Sequence, residues 1–309
     1  TDTPMLLGFA TALLALLRLR ERASVGWALV LGAAIGTGML AKYAMIYFVI
    51  CALLAALVMP EARIARRDAA IAAALALALL APNIAWNLGN GLSTLRHTAD
   101  NTRLAGGAGL RPLDLLEFWA GQFAVAGPAL FGAYLVGVAR MRRDPRARFL
   151  ALMSLPVFAI VSVQAFLADA QTNWAAAGHV AAVILAVAVL APHRRLLVAG
   201  LAINLAVTIA LPLMAAFPQA VRLPSGEPAL ARNLGRAEIS LTTAEIARAE
   251  GLDTIVASSR DILADAFHTL RDAGLAIRAE PKPGPPDHHY AQRHALEPGP
   301  GAVLYVSRR

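Results

Sequence analysis

A single cysteine, Cys51, leaves this 309-residue chain no disulfide to build on, so a cystine-stapled fold is excluded. No initiator Met and no signal peptide open the chain, which begins Thr1-Asp2-Thr3-Pro4 and enters an apolar stretch almost at once. It reads as the C-terminal part of a longer protein. No internal repeat of solenoid period is present. No His-Glu-x-x-His or similarly clean metal-ligand spacing occurs. A nucleic-acid footprint is lacking too, despite the net charge of +8. Residues 1–217 hold 17 Lys+Arg against 9 Asp+Glu, whereas residues 218–309 hold 11 of each and are neutral. The surplus therefore belongs to the apolar part and reads as a membrane topology signal, with no nucleic-acid partner expected.

What the chain has in abundance is apolar sequence. The hydrophobic share is 58% and the mean hydropathy +0.58, above the roughly 45–50% apolar content of soluble proteins. Apolar stretches run at about 4–17, 26–41, 43–59, 69–85, 113–139, 149–167, 173–191 and 196–217. The connections between them alternate in arginine. Arg18, Arg20 and Arg22 fall in the first, and Arg63, Arg66 and Arg67 in the third. Arg140, Arg142, Arg143, Arg146 and Arg148 fill the fifth, and Arg194 and Arg195 the seventh. These hold 13 cations, against 4 (Lys42, Arg96, Arg103, Arg111) in the intervening connections. Excess Lys/Arg marks the cytoplasmic side of a polytopic protein. The expected fold is an all-α polytopic membrane protein of about eight transmembrane helices, with both ends of the chain outside the cytoplasm.

Residues 25–59 could form one long helix. Two short spans meeting near Lys42 are preferred, because they keep both flanking arginine clusters on one side. Sixteen residues reach only ~24 Å against a ~30 Å hydrocarbon core, and short or interrupted spans are where membrane proteins place binding sites. Pro82 is expected to end its helix outside and Pro128 to kink one.

Residues 218–309 change character, and a small soluble α/β domain follows the membrane domain at 1–217. Thr242-Thr243-Ala244-Glu245 offers an N-cap for a helix to about Glu250. Strands are expected at Asp253–Ser258, Leu275–Ala279 and Ala302–Ser307, a helix at Ser259–Ala273, and a partly parallel sheet. His288, His289 and His294 could ligate a metal, although surface or packing histidines suit their loop-like context better.

Polar residues collect at the arginine-poor ends. Asp2 opens the first stretch and Lys42 the turn of the short pair. Asn83, Trp86 and Asn87 follow at the fourth exit, and Glu117 and Gln122 flank Trp119 in the fifth stretch. Gln171, Asn173 and Trp174 begin the seventh, with His179 deeper. Ionisable groups near hydrocarbon usually line a cavity or pathway. Each also has an ordinary reading. Lys42 could snorkel to headgroups, Asp2 could cap its helix, the tryptophans could form an interfacial belt, and His179 could be a satisfied core histidine. Asn204, near mid-membrane, reads as interhelical glue.

Taken in order, several segments resemble the bacterial family 39 glycosyltransferases. Thr1-Asp2-Thr3-Pro4-Met5-Leu6, at a span start, and the following Gly32–Tyr43 (GAAIGTGMLAKY) are similar to motifs of that family. Pro82-Asn83-x-x-Trp86-Asn87 resembles a span exit, Glu117-Phe118-x-x-Gly121-Gln122 a helix motif, and Asn173-Trp174 an Asn-Trp pair. Asp287–Leu296 is similar to a tail segment, with Asp287 for the usual Asn and Ala295 for the usual Pro. The resemblance implies a GT-C architecture, a polyprenyl-phosphate sugar donor and a lipid or glycan acceptor in the envelope, such as lipid A, or a protein. It puts the main catalytic carboxylate in a loop preceding Thr1. Asp2 matches a second acidic position beside the donor phosphate or a divalent metal, and is the catalytic candidate within this chain. Lys42, Tyr43, Asn83, Trp86, Asn87, Glu117, Gln122, Asn173 and Trp174 become candidates for substrate binding. Direct displacement with inversion at C1 is implied by the family alone. Membrane lipid is the other expected partner. The Ala/Arg-rich composition suits a GC-rich Gram-negative bacterium, which would make the membrane the inner one and the outer side periplasmic. A transporter or flippase is the competing reading, and a non-catalytic scaffold a third.

Overall fold

A computed structural model describes residues 2–92, 94, 109–168, 170–231, 234–283, 286, 288–297, 299 and 301–307. Thr1, Arg96, Arg103 and Asp287, named above, lie outside the described residues. The chain divides into two compact units, Thr1–Val207 and Thr208–Arg309.

In the first unit α1 (Asp2–Glu21) and α2 (Val25–Ala41) form a hairpin around Arg22–Ser24. Ser24 caps α2, its Oγ accepting the Trp27 N–H at 3.4 Å, as N-cap hydroxyls do. Its own N–H donates to Asp68 at 3.0 Å. Asp68 is wholly buried, and it opens α4 (Arg66–Gly89). A carboxylate taken out of water needs such donors, and Arg67 supplies a second contact at 3.5 Å. After α2 the backbone opens at Lys42 into an extended conformation. A 3-10 turn, Tyr43–Met45, then leads into α3 (Ile46–Val58). The break expected near Lys42 is present.

α2 packs along both α1 and α4, and its small residues are the reason. A Cβ on Gly32 would sit 2.5 Å from the Ala72 carbonyl oxygen, and one on Gly36 would sit 3.0 Å from Leu79 Cβ. On the other side, a Cβ on Gly8 of α1 would meet the Ala34 carbonyl at 3.0 Å. In hydrocarbon, where apolar burial gives no net drive between helices, this close backbone approach is what holds them together.

Two expected spans are broken instead of continuous. α5 (Pro112–Ala126) and α6 (Pro128–Ala139) meet at 114° across Gly127, which replaces the kink expected at Pro128. Gly127 has φ +79°, a conformation only glycine adopts without strain. The Ala126 carbonyl at the break accepts a hydrogen bond from Asn204 Nδ2 at 2.8 Å, so Asn204 does join helices, at that break. α7 (Pro145–Leu152) and α8 (Leu155–Leu167) bend by 41°. α9 (Ala176–Leu190) follows a 3-10 turn at Thr172–Ala175, and α10 (Arg194–Ala216) completes the apolar part.

Pro82 does not end α4, which runs on for seven residues to Gly89. Proline deletes one N–H and one intrahelical bond, but flanking turns carry the helix through. Among the described residues four helices are long and apolar enough to cross a membrane: Asp2–Glu21, Arg66–Gly89, Thr172–Leu190 and Arg194–Ala216. The count reaches six if each bent pair is one span, and Val25–Ala41 and Tyr43–Val58 are shorter apolar helices. The chain is therefore a mostly helical polytopic membrane protein, with four to six spans by this measure where the sequence suggests about eight.

The second unit carries α11 (Arg236–Ala249), β1 (Thr254–Ala257), α12 (Arg260–Thr269), β2 (Ala276–Ala279), α13 (His289–Arg293) and β3 (Leu304–Val306). The sheet order is β2-β1-β3, parallel throughout, with Thr254 opposite Ala276 and Ile255 opposite Leu304. The helix expected to start at Thr242 begins instead after Gly235, which has φ +74°. Thr243 lies within it, its hydroxyl returning to the Ile239 carbonyl at 2.7 Å, so the residues that spelled a cap serve inside the helix. His288 Nδ1 accepts the Ala291 N–H at 3.0 Å, and His294 packs on Phe267 at 4.6 Å between centroids. Both thus have capping or packing roles.

Gly32→Ala drives a methyl into a backbone carbonyl that cannot yield, so it should destabilise the fold by about 1–3 kcal/mol. At Gly132 of α6 a Cβ meets nothing within 4 Å, so Gly132→Ala should be neutral or stabilise by up to about 1 kcal/mol. Thermal unfolding in detergent compares the two. Equal behaviour would remove the close-packing account of α2.

Candidate active site

The interhelical contacts sort the chain ends into two sets. At one end Arg20 of α1 reaches the Glu61 carbonyl after α3 and lies over Phe149 of α7, while Ser24 and Asp68 join the α1–α2 connection to α4. Three of the four arginine-rich connections, the first, third and fifth, therefore meet there. The opposite end gathers the polar residues singled out from the sequence.

Asp2, in the first turn of α1, forms an ion pair with Lys42 Nζ and accepts from Asn173 Nδ2 at 3.3 Å. The three residues come from α1, the α2–α3 break and the turn before α9, and the Asp2–Asn173 contact spans 171 positions. Lys42 reaches Asp2 because the helix stops one residue earlier, and its N–H still closes α2 on the Gly38 carbonyl at 2.9 Å. The pair is about one-third exposed, at 29% and 34% for the two side chains. It is thus open to a ligand instead of sealed in the bundle.

Next to Lys42, the Tyr43 hydroxyl donates to Asn83 Oδ1 at 2.6 Å and accepts from Asn87 Nδ2 at 3.3 Å. Asn83 and Asn87 stand one turn apart on α4, and Asn87 also donates to the Asn83 carbonyl at 3.0 Å. Asn87 is buried, and its Oδ1 accepts the Thr94 N–H at 3.2 Å, which satisfies both ends of its amide.

A third set adjoins through Thr172, the neighbour of Asn173. Gln122 is fully buried in α5. It donates from Nε2 to the Phe118 and Thr172 carbonyls, each at 3.2 Å. Its Oε1 lies 2.9 Å from His179 Nε2, so that nitrogen carries the proton. Gly121 permits the approach, since a Cβ there would lie 2.6 Å from Thr172 Oγ1. His179 rests against Phe158, with centroids 5.1 Å apart.

The structure thus brings together Asp2, Lys42 and Asn173; Tyr43, Asn83 and Asn87; and Gln122. Trp86 and Glu117 are not drawn in: Trp86 is 46% exposed, and Glu117 lies on the exposed face of α5 with no ion pair among the described residues. Trp174 packs half-buried against the apolar core together with Trp119. The sequence reading placed His179 at the right depth without its partner. It missed Thr172, whose part is played by a backbone carbonyl that side-chain identity does not reveal. Among the described residues no three His, Cys, Asp or Glu side chains group together. A divalent ion at Asp2 would need ligands from neutral side chains and from substrate phosphate.

Chemically, the arrangement offers one cation paired with a carboxylate that an amide also holds, beside a row of amide and phenol groups. That is a set for an anionic headgroup flanked by hydroxyls.

Residues 1–86 match the family profile described as dolichyl-phosphate-mannose-protein mannosyltransferase. That segment contains Asp2, Lys42, Tyr43 and Asn83. Over 99% of its length the chain is 41% identical to the lipid A galacturonosyltransferase RgtD of Rhizobium johnstonii, of which it covers 66%. The chain spans about two thirds of the length of that curated relative. No solved structure matches it. With the identity running through the second unit as well as the helical one, the chain belongs to the GT-C glycosyltransferases related to the dolichyl-phosphate-mannose-protein mannosyltransferases.

Proposed function

We propose that the chain is part of an integral membrane glycosyltransferase that moves a sugar from a polyprenyl-phosphate donor to an envelope acceptor at the periplasmic face of the inner membrane. Identity to a lipid A galacturonosyltransferase supports galacturonic acid as the sugar and lipid A as the acceptor. The single observation that carries the reading is the Asp2–Lys42–Asn173 network at the end opposite the arginines. With the arginine-rich end cytoplasmic, the network faces the outer leaflet, where the C1 of a lipid-phosphate sugar would lie. The reading takes eight crossings, counting the short helices and the bent pairs, and puts residues 218–309 in the periplasm.

In the reaction an acceptor hydroxyl oxygen attacks C1 and the bond from C1 to the phosphate oxygen breaks. The electron pair leaves with the lipid phosphate, and the hydroxyl proton passes to a base. Lys42 is suited to hold that phosphate as charge builds on it. Asp2, already ion-paired, is suited to hold Lys42 and any divalent ion, a positioning task that leaves the proton to another carboxylate. Tyr43, Asn83 and Asn87 would bind sugar hydroxyls. Glu117, Trp86 and Trp174 would meet the acceptor or the lipid chain at the rim, with Gln122 setting the turn that carries Asn173. Closing a long lipid against the bundle adds binding energy remote from C1.

A transporter would be favoured by the broken α5–α6 helix, since half-helices often build transport sites. Against it, the Ala126 carbonyl at the break is already engaged by Asn204, and the charged pair Asp2–Lys42 lies at one end of the bundle, whereas alternating access wants a midplane site.

In membranes carrying the intact protein, Lys42→Ala and Asp2→Asn should each lower transfer of labelled sugar from polyprenyl phosphate by about a hundredfold, with normal insertion. Unchanged transfer by both variants would remove the site assignment, and no transfer by the parent from any donor would favour the transporter. Tyr43→Phe deletes one hydroxyl from a neutral network worth about 1 kcal/mol. It should raise KM about fivefold and leave kcat unaltered. A fall in kcat with KM constant would instead place Tyr43 at the reacting carbon.

A further inference from the structure

At the arginine-rich end, away from the proposed transfer site, lies a cavity of about 240 Å3 between α1, the turn after α3, α7 and α9. Its walls are apolar, with Leu17, Phe149, Leu150 and Ile184 among them, and Arg20, Arg146 and Glu61 stand in its lining. Arg20 is fixed in two ways. Its Cζ lies 4.1 Å from the Phe149 ring centroid, and its Nε donates to the Glu61 carbonyl at 3.0 Å. Both contacts leave the two terminal nitrogens without a hydrogen bond among the described residues. A guanidinium held this way keeps its fork preset for a phosphate, whose two oxygens it can take at once. Arg146, at the start of α7, is exposed and its side chain makes no ion pair among the described residues. The Glu61 side chain opposes one of these two positive charges, so the cavity carries a net charge of one.

We infer that this cavity binds one anionic phospholipid of the cytoplasmic leaflet, its phosphate on Arg20 and Arg146 and an acyl chain along Leu17 and Ile184. Two features of the site argue for a lipid over a free anion. The apolar wall continues onto the outer surfaces of helices that cross the membrane, and a cavity of this kind has nothing for a fully hydrated ion to bond on that side. Basic pockets between membrane helices on the cytoplasmic side also bind anionic lipid head groups. The site does not rest on the transferase reading, since it lies at the other end of the bundle. It would fix the relative positions of α1 and α9, beside whose far ends Asp2 and Asn173 join the polar network.

The test is a lipid titration of the intact protein in neutral detergent followed by native mass spectrometry, with dioleoyl phosphatidylglycerol against dioleoyl phosphatidylcholine. One phosphatidylglycerol should bind about tenfold more tightly than phosphatidylcholine. Arg20→Gln should abolish that preference, and Arg20→Lys, which keeps the charge but not the fork, should restore only part of it. Arg146→Gln is a surface change that leaves folding intact, and it should weaken phosphatidylglycerol about fivefold. Equal affinity for the two lipids in the parent protein, or an undiminished preference in Arg146→Gln, overturns the proposal. Displacement of the lipid by millimolar inorganic phosphate would do the same, by identifying a free-anion site.

Discussion

The ion pair between Asp2 and Lys42 is the contact on which the arginine-poor half of the bundle depends. A charge near hydrocarbon is costly unless paired or wetted, and Asp2 and Lys42 are each other's ion-pair partner. Pairing them pins the start of α1 to the point where α2 gives out. The pin works only because α2 is thin. Its glycines let α1 and α4 close on it from two sides, which brings Lys42 between Asp2 and α4 and sets the neighbouring Tyr43 against Asn83. The run Gly32–Tyr43 therefore has one physical meaning along its length: close packing at its start, a break at its end, and a cation and a phenol delivered where the packing has drawn three helices together.

Much of the architecture was legible because membrane proteins write it in hydropathy and charge. The alternation of arginine picked out two ends, and the contacts of Arg20 and of Lys42 fall on those ends as the pattern requires. The break at Lys42 could be argued from arginine parity alone. The misreadings occurred where local chemistry had two uses. Pro82 reads as a terminator, yet α4 loses only one bond there and continues. Thr242-Thr243-Ala244-Glu245 spells a cap, but a threonine hydroxyl can return to the carbonyl four residues back, and Thr243 does so. Pro128 reads as a kink, and the helix breaks there by 114°, because the positive φ of Gly127 redirects the axis and Asn204 bonds the Ala126 carbonyl that a straight helix would have engaged.

The site was legible as a set of residues at one depth and not as a network. Depth follows from position in a span, so Asp2, Lys42, Asn83 and Asn173 could be gathered without a structure. Partner choice follows from which helices touch, and hydropathy is silent on that. Nothing in the sequence says that Asn173 rather than Gln171 faces Asp2, or that Gln122 turns inward to Thr172 and His179 while Glu117, five residues earlier, turns out. A helix advances about 100° per residue, so five residues are enough to separate a buried amide from an exposed carboxylate.

The two ends of the bundle also handle charge differently, and the difference bears on chemistry. At the arginine-rich end several guanidinium groups donate to backbone carbonyls: Arg20 to Glu61, Arg63 to Ala56, and Arg148 to Met141 and Arg142. A carbonyl accepts hydrogen bonds without cancelling the charge, so that end stays positive, as a surface facing anionic lipid should. At the other end Lys42 is paired with a full carboxylate. An unpaired lysine would grip a lipid phosphate at every stage, before and after the sugar leaves. In the proposed reaction, one already balanced by Asp2 would bind the donor more weakly and would contribute most when negative charge builds on the departing phosphate. Stabilisation that appears mainly in the transition state is the kind that raises turnover without trapping the product.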